Sequence, residues 1–177
     1  LAESTLFVTG KTAIAPEVIS VSRSKLNQGE VQTVSEIDGE TAASEIQQND
    51  VRQIVSCGRS IRQPIETPRI ETPRTETQRI EIVDPQTGVP CKPGSIGEIW
   101  VCGPSVAAGY WNQKQTTEAV FRNALGQATE KSGAKKFMRT GDLGFIRSGE
   151  LFVTGRLKDL IVIRGQNYYP QDIELSI

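Results

Sequence analysis

MRTGDLGF (Met138–Phe145) and, beyond Ile146–Gly149, ELFVTGRLKDLIVIRGQNYYPQDIE (Glu150–Glu174) decide how this chain reads. Two short β-prone runs, Glu150–Thr154 and Leu160–Arg164, bracket a polar turn that carries Gly155, Arg156, Lys158 and Asp159. Just upstream, Arg139-Thr140-Gly141-Asp142 sets an acidic side chain in a glycine turn. A carboxylate there can accept hydrogen bonds from both vicinal hydroxyls of a ribose, because its two oxygens form a fixed fork. Gly141 lets the backbone come close to a ligand. The same four residues also fit a β-turn whose aspartate caps its own backbone. Arg156 can pair with a phosphate or ribose oxygen through its planar guanidinium, or it can occupy an exposed hairpin turn. The stretch closes on Tyr169-Pro170, where proline restricts the preceding residue to extended backbone.

Working outward, the remaining elements are short. Leu1–Gly10 has apolar residues around a brief β-prone run, and Pro16–Val21 alternates as a strand. Ser22–Gln28 reads as a helical turn closed by Gly29. Thr41–Val55 predicts a short helix leading into a strand. Ile80–Val83 predicts a strand with Asp84–Gly88 as its turn, and Gly97–Cys102 another, ended by Gly103-Pro104. Thr116–Leu125 is the best helix, with Ala119, Val120 and Leu125 available for an inner face, and polar Gln127–Lys136 reads as an exposed loop. The sum is an α+β, β-dominated module.

Ile65–Arg69 and Ile70–Arg74 are both IETPR, and Thr75–Arg79 is the variant TETQR. The repeat is shorter than any solenoid unit, and Pro64, Pro68 and Pro73 forbid regular helix and remove ladder donors. A solvated loop grown by tandem duplication fits this composition; a docking arm for a partner domain is the alternative.

Composition sets the outer limits. The chain has 177 residues, 37% hydrophobic and 23% charged, which suits a globular domain with its own core. A net charge of -1 gives no general attraction to nucleic acid or anionic membrane. No apolar run approaches the ~20 residues of a membrane span, and the start lacks a signal-peptide pattern. Cys57, Cys91 and Cys102 are odd in number and unlike a metal knuckle in spacing, so a reduced, cytoplasmic chain is expected. No histidine occurs, which excludes a histidine-based triad. Gly10-Lys11-Thr12 resembles the end of a phosphate loop, but Thr5 stands where its first glycine belongs. Leu1 is not an initiator methionine, and Ile177 follows a strand-to-helix transition, so the chain is expected to be part of a longer polypeptide.

Asp142, then Arg156 and the Lys158-Asp159 pair, in this order and spacing, resemble the nucleotide and hinge motifs of adenylate-forming enzymes, and most closely those of fatty acyl-AMP ligases. Leu1-Ala2-Glu3-Ser4-Thr5-Leu6 is similar to the family's aromatic-Gly-x-x-Glu motif with its Ala-Glu-Ala-Thr-Leu continuation. Gly97–Trp111 (GEIWVCGPSVAAGYW) and Val162–Glu174 are similar to the same group, though Tyr168 stands where that group often has histidine. Tyr110-Trp111 reads as packing surface.

The resemblance implies a distorted β-barrel-like subdomain of the large N-terminal domain over residues 1–157, with an insert at 64–79, and the hinge and first strands of a small C-terminal domain over 158–177. It implies that Asp142 and Arg156 bind the ribose and phosphate of ATP or AMP, that Glu3 ligates Mg²⁺ as a hard oxygen donor, and that Lys158 is the pivot between half-reactions. The implied activity joins a fatty acid to ATP as an acyl-adenylate and passes the acyl group to an acyl carrier protein, with a polyketide synthase or peptide synthetase as a further partner. The acceptor preference is attributed to a family insertion expected within Lys11–Ser56. The family's phosphate loop, adenine-contacting segment and catalytic lysine have no counterpart here, so the chain by itself is expected not to adenylate. An acyl-CoA ligase of the same fold and a non-catalytic carrier-docking module stay open as alternatives.

Overall fold

The computed structural model describes residues 2–4, 8–10, 15–34, 50–60, 78–126, 135–164 and 166–174. Nine strands dominate: β1 (Thr9–Gly10), β2 (Val18–Ser22), β3 (Val51–Ser60), β4 (Arg79–Val83), β5 (Gly97–Cys102), β6 (Met138–Arg147), β7 (Glu150–Arg156), β8 (Ile161–Ile163) and β9 (Gln166–Tyr168). Among the described residues, three short helices accompany them: α1 (Arg23–Asn27), α2 (Lys114–Phe121) and α3 (Pro170–Glu174). Strands one to seven form one curled sheet in the order β1-β3-β7-β6-β5-β4, with β2 also paired to β3; β8 and β9 form a separate hairpin. Every pairing is antiparallel, and the β-dominated class is as expected.

Burial follows strand period and position. In β3, Ile54, Ser56 and Gly58 are buried while Val55, Cys57 and Arg59 are exposed, the alternation of a strand with one face covered. β5 lies between β4 and β6 and is buried from Gly97 to Val101. Its Ile99 and Val101 join Ile82, Phe121, Met138 and Leu151 in one cluster, and Trp100 joins Val83 and Phe137 in another. A third cluster gathers Val21, Leu26, Ile54, Phe145 and Phe152, with the two phenylalanine rings stacked at 5.1 Å. Ser22 caps α1 by accepting from the Lys25 N–H, and Gly29 leaves it at φ +81.

The sequence reading needs correction at several points. Residues 139–142 are not a free glycine turn but lie inside the ten-residue β6. β7 continues past Thr154 to Arg156, and β3 continues past Val55 to Ser60. The expected strand Leu160–Arg164 is confined to Ile161–Ile163, with Arg164 at φ +52 in the hairpin turn. Helix α2 begins at Lys114 and stops at Phe121, short of Leu125. It stops because Asn123 Nδ2 donates to the carbonyls of Ala119 and Val120, while the Asn123 backbone exchanges two hydrogen bonds with Phe137. The IETPR repeat, the expected helix before Asp50, Lys11-Thr12 and most of Gln127–Lys136 lie outside the described residues.

The segment after Arg156 is seated on the sheet by Tyr169. Tyr169 is 1% exposed, and the Arg52 guanidinium lies 5.2 Å from its ring centroid while donating to the Thr154 carbonyl. A Cβ added at Gly155 would stand 2.9 Å from the Tyr169 ring, so glycine makes the seat. By contrast, Ile161, Val162 and Ile163 are all exposed. Among the described residues, no helix is long and apolar enough to cross a membrane.

Candidate functional site

The site is built around a carboxylate that the sequence reading passed over. Glu98 on β5 is 1% exposed. Its Oε2 accepts from Trp100 Nε1 at 2.9 Å and from Arg139 Nε at 2.9 Å, with Arg139 Nη2 ion-paired to the same oxygen at 2.8 Å, and its Oε1 accepts from the Gly141 N–H at 3.1 Å. Arg139 also donates to the Pro85 carbonyl and lies over the Trp100 ring. A buried charge is tolerated only when paired and hydrogen-bonded, and Glu98 is both.

Around this carboxylate the ladder changes register. Glu98 pairs with Leu143 and Trp100 with Arg139, so Thr140, Gly141 and Asp142 together oppose Ile99 alone. Such a bulge bends the strand and re-aims its side chains. Gly141 takes φ +73, a conformation that a Cβ would strain. Thr140 Oγ1 donates to the Ile99 carbonyl at 2.8 Å and accepts from the Asp142 N–H at 3.0 Å. Asp142 then faces Arg156 directly across β7, with Arg156 Nε 3.3 Å from Asp142 Oδ1. That pair is solvent-accessible, so it contributes little to stability.

The bulge borders a cleft of about 350 Å³ whose lining includes Thr140, Gly141, Met138, Val120, Tyr110 and Glu3. Glu3 enters from the opposite end of the chain, on a single 3₁₀ turn, Ala2–Ser4. Its carbonyl accepts from the Ala107 N–H at 2.8 Å, and Ser4 Oγ meets Ser105 Oγ at 3.0 Å. The Tyr110 hydroxyl donates to Glu3 Oε1 at 3.0 Å. Burial raises the Tyr110 phenol above its ordinary value, and the hydrogen bond and charge of Glu3 add to the rise. Tyr110 is itself fixed by its N–H bond to Thr117 Oγ1 and by an edge contact with Phe121. Next to it, Trp111 stands 89% exposed.

Of the residues singled out in the sequence, Glu3 lines the cleft, Asp142 follows cleft-lining Gly141, and Arg156 pairs with Asp142. Lys158 stands apart, exposed in the 3₁₀ turn Leu157–Asp159 between β7 and β8. Tyr110, read as packing, packs against Phe121 and also holds Glu3. Glu98 carries a usable signal: it is a lone acid between Gly97 and Ile99, where a strand covered on both faces demands a partner.

Residues 6–111 match the AMP-binding enzyme family. The chain belongs to that family. This AMP-binding enzyme chain is 42% identical over its whole length to the medium-chain-fatty-acid–[acyl-carrier-protein] ligase JamA of Moorena producens, of which it covers 26%. It is 37% identical over its whole length to the 4-hydroxyphenylalkanoate adenylyltransferase of Mycobacterium marinum, of which it covers 25%. Among solved structures, the fatty acyl-adenylate ligase from L. pneumophila in complex with acyl adenylate and pyrophosphate aligns at a TM-score of 0.64 and 36% identity. That alignment covers 99% of this chain and 25% of the other. The chain thus spans about a quarter of the length of the curated relatives it matches.

Proposed function

We propose that this chain supplies the ribose- and metal-binding part of a fatty acyl-AMP ligase. The observation that carries the reading is the convergence of Glu3 and the Thr140–Gly141 bulge, nearly a chain length apart, on one cleft. In this reading Asp142 accepts both ribose hydroxyls of ATP, held at its backbone by Thr140. Arg156 balances Asp142 across the ladder and offers its remaining N–H groups to a ribose or phosphate oxygen.

The oxygen donors of the cleft fit Mg²⁺, which is commonly held by one or two carboxylates together with substrate phosphates. Glu3 is the carboxylate available, since Glu98 is buried and already ion-paired with Arg139. Bound there, Mg²⁺ supplies charge neutralisation at the phosphates. Tyr110 orients Glu3 by donating to one of its oxygens.

The proposed reaction has two steps. A fatty acid carboxylate attacks the α-phosphorus of ATP, forming an acyl–phosphate bond as pyrophosphate leaves. A phosphopantetheine thiol of an acyl carrier protein then attacks the acyl carbon, and AMP leaves. Residues 1–157 would belong to the large domain and 158–177 to the hinge and small domain, with Lys158 as pivot. The acceptor reading is supported by the carrier-protein ligase from Moorena. A polyketide synthase or peptide synthetase is the proposed consumer of the acyl-carrier product. An ATP-dependent reaction and three cysteines outside any disulfide, Cys57, Cys91 and Cys102, suit a cytoplasmic setting.

The test incubates the complete polypeptide that includes this chain with ATP, Mg²⁺, a medium-chain fatty acid, coenzyme A and phosphopantetheinylated carrier protein, and identifies products by mass. Acyl-adenylate and acyl-carrier without acyl-CoA is the expected result. Abundant acyl-CoA would transfer the protein to the coenzyme A ligases, and absence of any acyl product would overturn the enzymatic reading. The isolated 177-residue chain is expected to release no pyrophosphate.

A further inference from the structure

We infer that Glu98 is a positioning residue for the nucleotide: its buried carboxylate fixes the bulge that carries Asp142, and thereby the discrimination between ribose and deoxyribose. This deepens the proposed function and rests on it. Glu98 borders the same cleft as Glu3, so a role as metal ligand or proton acceptor has to be weighed first. Its setting argues against both. The carboxylate is 1% exposed and ion-paired with Arg139 at 2.8 Å; it receives N–H bonds from Gly141 on Oε1 and from Trp100 and Arg139 Nε on Oε2. Three hydrogen bonds and a cationic partner already compensate its buried charge.

Its effect is therefore structural at one place and chemical at the next. Because three residues of β6 oppose one of β5, the ladder lacks a regular partner for Gly141. Glu98 Oε1 provides it, at 3.1 Å. Gly141 is adjacent to Asp142, whose own N–H is held by Thr140 Oγ1. The two successive N–H groups leading into the Asp142 Cα are thus pinned from β5, Gly141 through Glu98 and Asp142 through Thr140 to Ile99. Two hydroxyls can be bonded by one carboxylate only if its fork is correctly placed, and a shift of a fraction of an ångström loses one of them.

Glu98→Gln separates positioning from folding. An amide has a single acceptor oxygen. If that oxygen stays with Trp100 and Arg139, the amide NH₂ confronts the Gly141 N–H, donor against donor, and the bulge is released. The experiment compares kcat/KM for ATP with that for 3′-deoxy-ATP in acid-dependent ATP–pyrophosphate exchange by the complete polypeptide. Wild type should favour ATP by about tenfold or more, the worth of a hydrogen bond to a charged group. E98Q should bring the ratio close to one while leaving the KM for fatty acid within about twofold. General loss of folded enzyme lowers both nucleotides equally and leaves the ratio unchanged. Arg139→Lys, which keeps a charge beside Glu98 but not the bidentate grip, is the second variant should E98Q fail to fold; its ratio should fall between the two. A folded E98Q or R139K that keeps the full preference for ATP overturns the inference. A wild type that performs no exchange overturns the proposed function instead.

Discussion

Residues 151–153 and 161–163, Leu-Phe-Val and Ile-Val-Ile, are nearly interchangeable as sequence, yet the fold treats them oppositely. The first sits in β7 between β3 and β6, with Leu151 and Phe152 buried. The second forms β8 of a two-stranded hairpin, with Ile161, Val162 and Ile163 exposed at 42%, 61% and 53%. β-propensity is therefore not what separates them; coverage by neighbours is. The Glu98 carboxylate and the bulge that carries Asp142 belong to the large sheet, where ladder and buried partners leave little freedom. Lys158 lies at the boundary, on a single 3₁₀ turn, where rotation would disturb few contacts.

Phe152→Ala should break the comparison from the covered side. Phe152 is fully buried and stacked on Phe145, so its loss should cost about 3–5 kcal/mol in urea denaturation. Val162→Ser on the exposed hairpin should cost about 0.5 kcal/mol or less in the same assay. Comparable losses would mean that the hairpin is as well packed as the sheet.

Gly155→Ala addresses the joint between the two regions. The new Cβ collides with the buried Tyr169 ring, which cannot move without leaving its contact with Arg52. An overpacking loss of about 1–3 kcal/mol is expected, together with faster tryptic cleavage at Arg156 or Lys158. Cleavage at the wild-type rate would show that Tyr169 does not hold the segment down.

Asp142→Ala should leave the melting temperature within about 2 °C, since its ion pair with Arg156 is exposed. Nucleotide affinity should fall about tenfold or more by calorimetry. A large stability loss without an affinity change would assign Asp142 to the sheet rather than to a ligand.

The smallest effect is expected at Asp84, in the turn after β4. The N–H groups of Thr87 and Gln86 hold its carboxyl below the ordinary value. A lowered folded value stabilises the protein above the unfolded carboxylate pKa near 3.9, and the benefit disappears as pH falls through the folded value. Asp84→Asn should thus cost about 0.5 kcal/mol or less near pH 7, and the two proteins should converge in acid. A gap that widens below pH 4 would contradict this sign.

Where local signals agreed with pairing, the fold was legible in the sequence. Gly97–Cys102 was bounded correctly because Gly103-Pro104 ends a run of large apolar residues. β6 was missed as a strand because Gly141 and Asp142 are turn formers, and only the opposing Ile99 shows them to be a bulge. The excess length of α2 came from Ala124 and Leu125, which periodicity admits but the Asn123–Phe137 bridge removes. Asp142, Arg156 and Glu3 were visible because motif order carries them. Glu98 and Tyr110 were passed over, since Arg139 lies 41 residues from the one and Glu3 107 from the other.

The two tryptophans give the molecule a pair of optical reporters with opposite access to solvent. Trp100 is held beneath Arg139 with its indole N–H on Glu98, while Trp111 projects into water beside the cleft. Iodide should quench emission from Trp111 and leave the blue-shifted emission of Trp100. Steady-state fluorescence can therefore follow the buried carboxylate and the cleft mouth separately, in one cuvette and without a label.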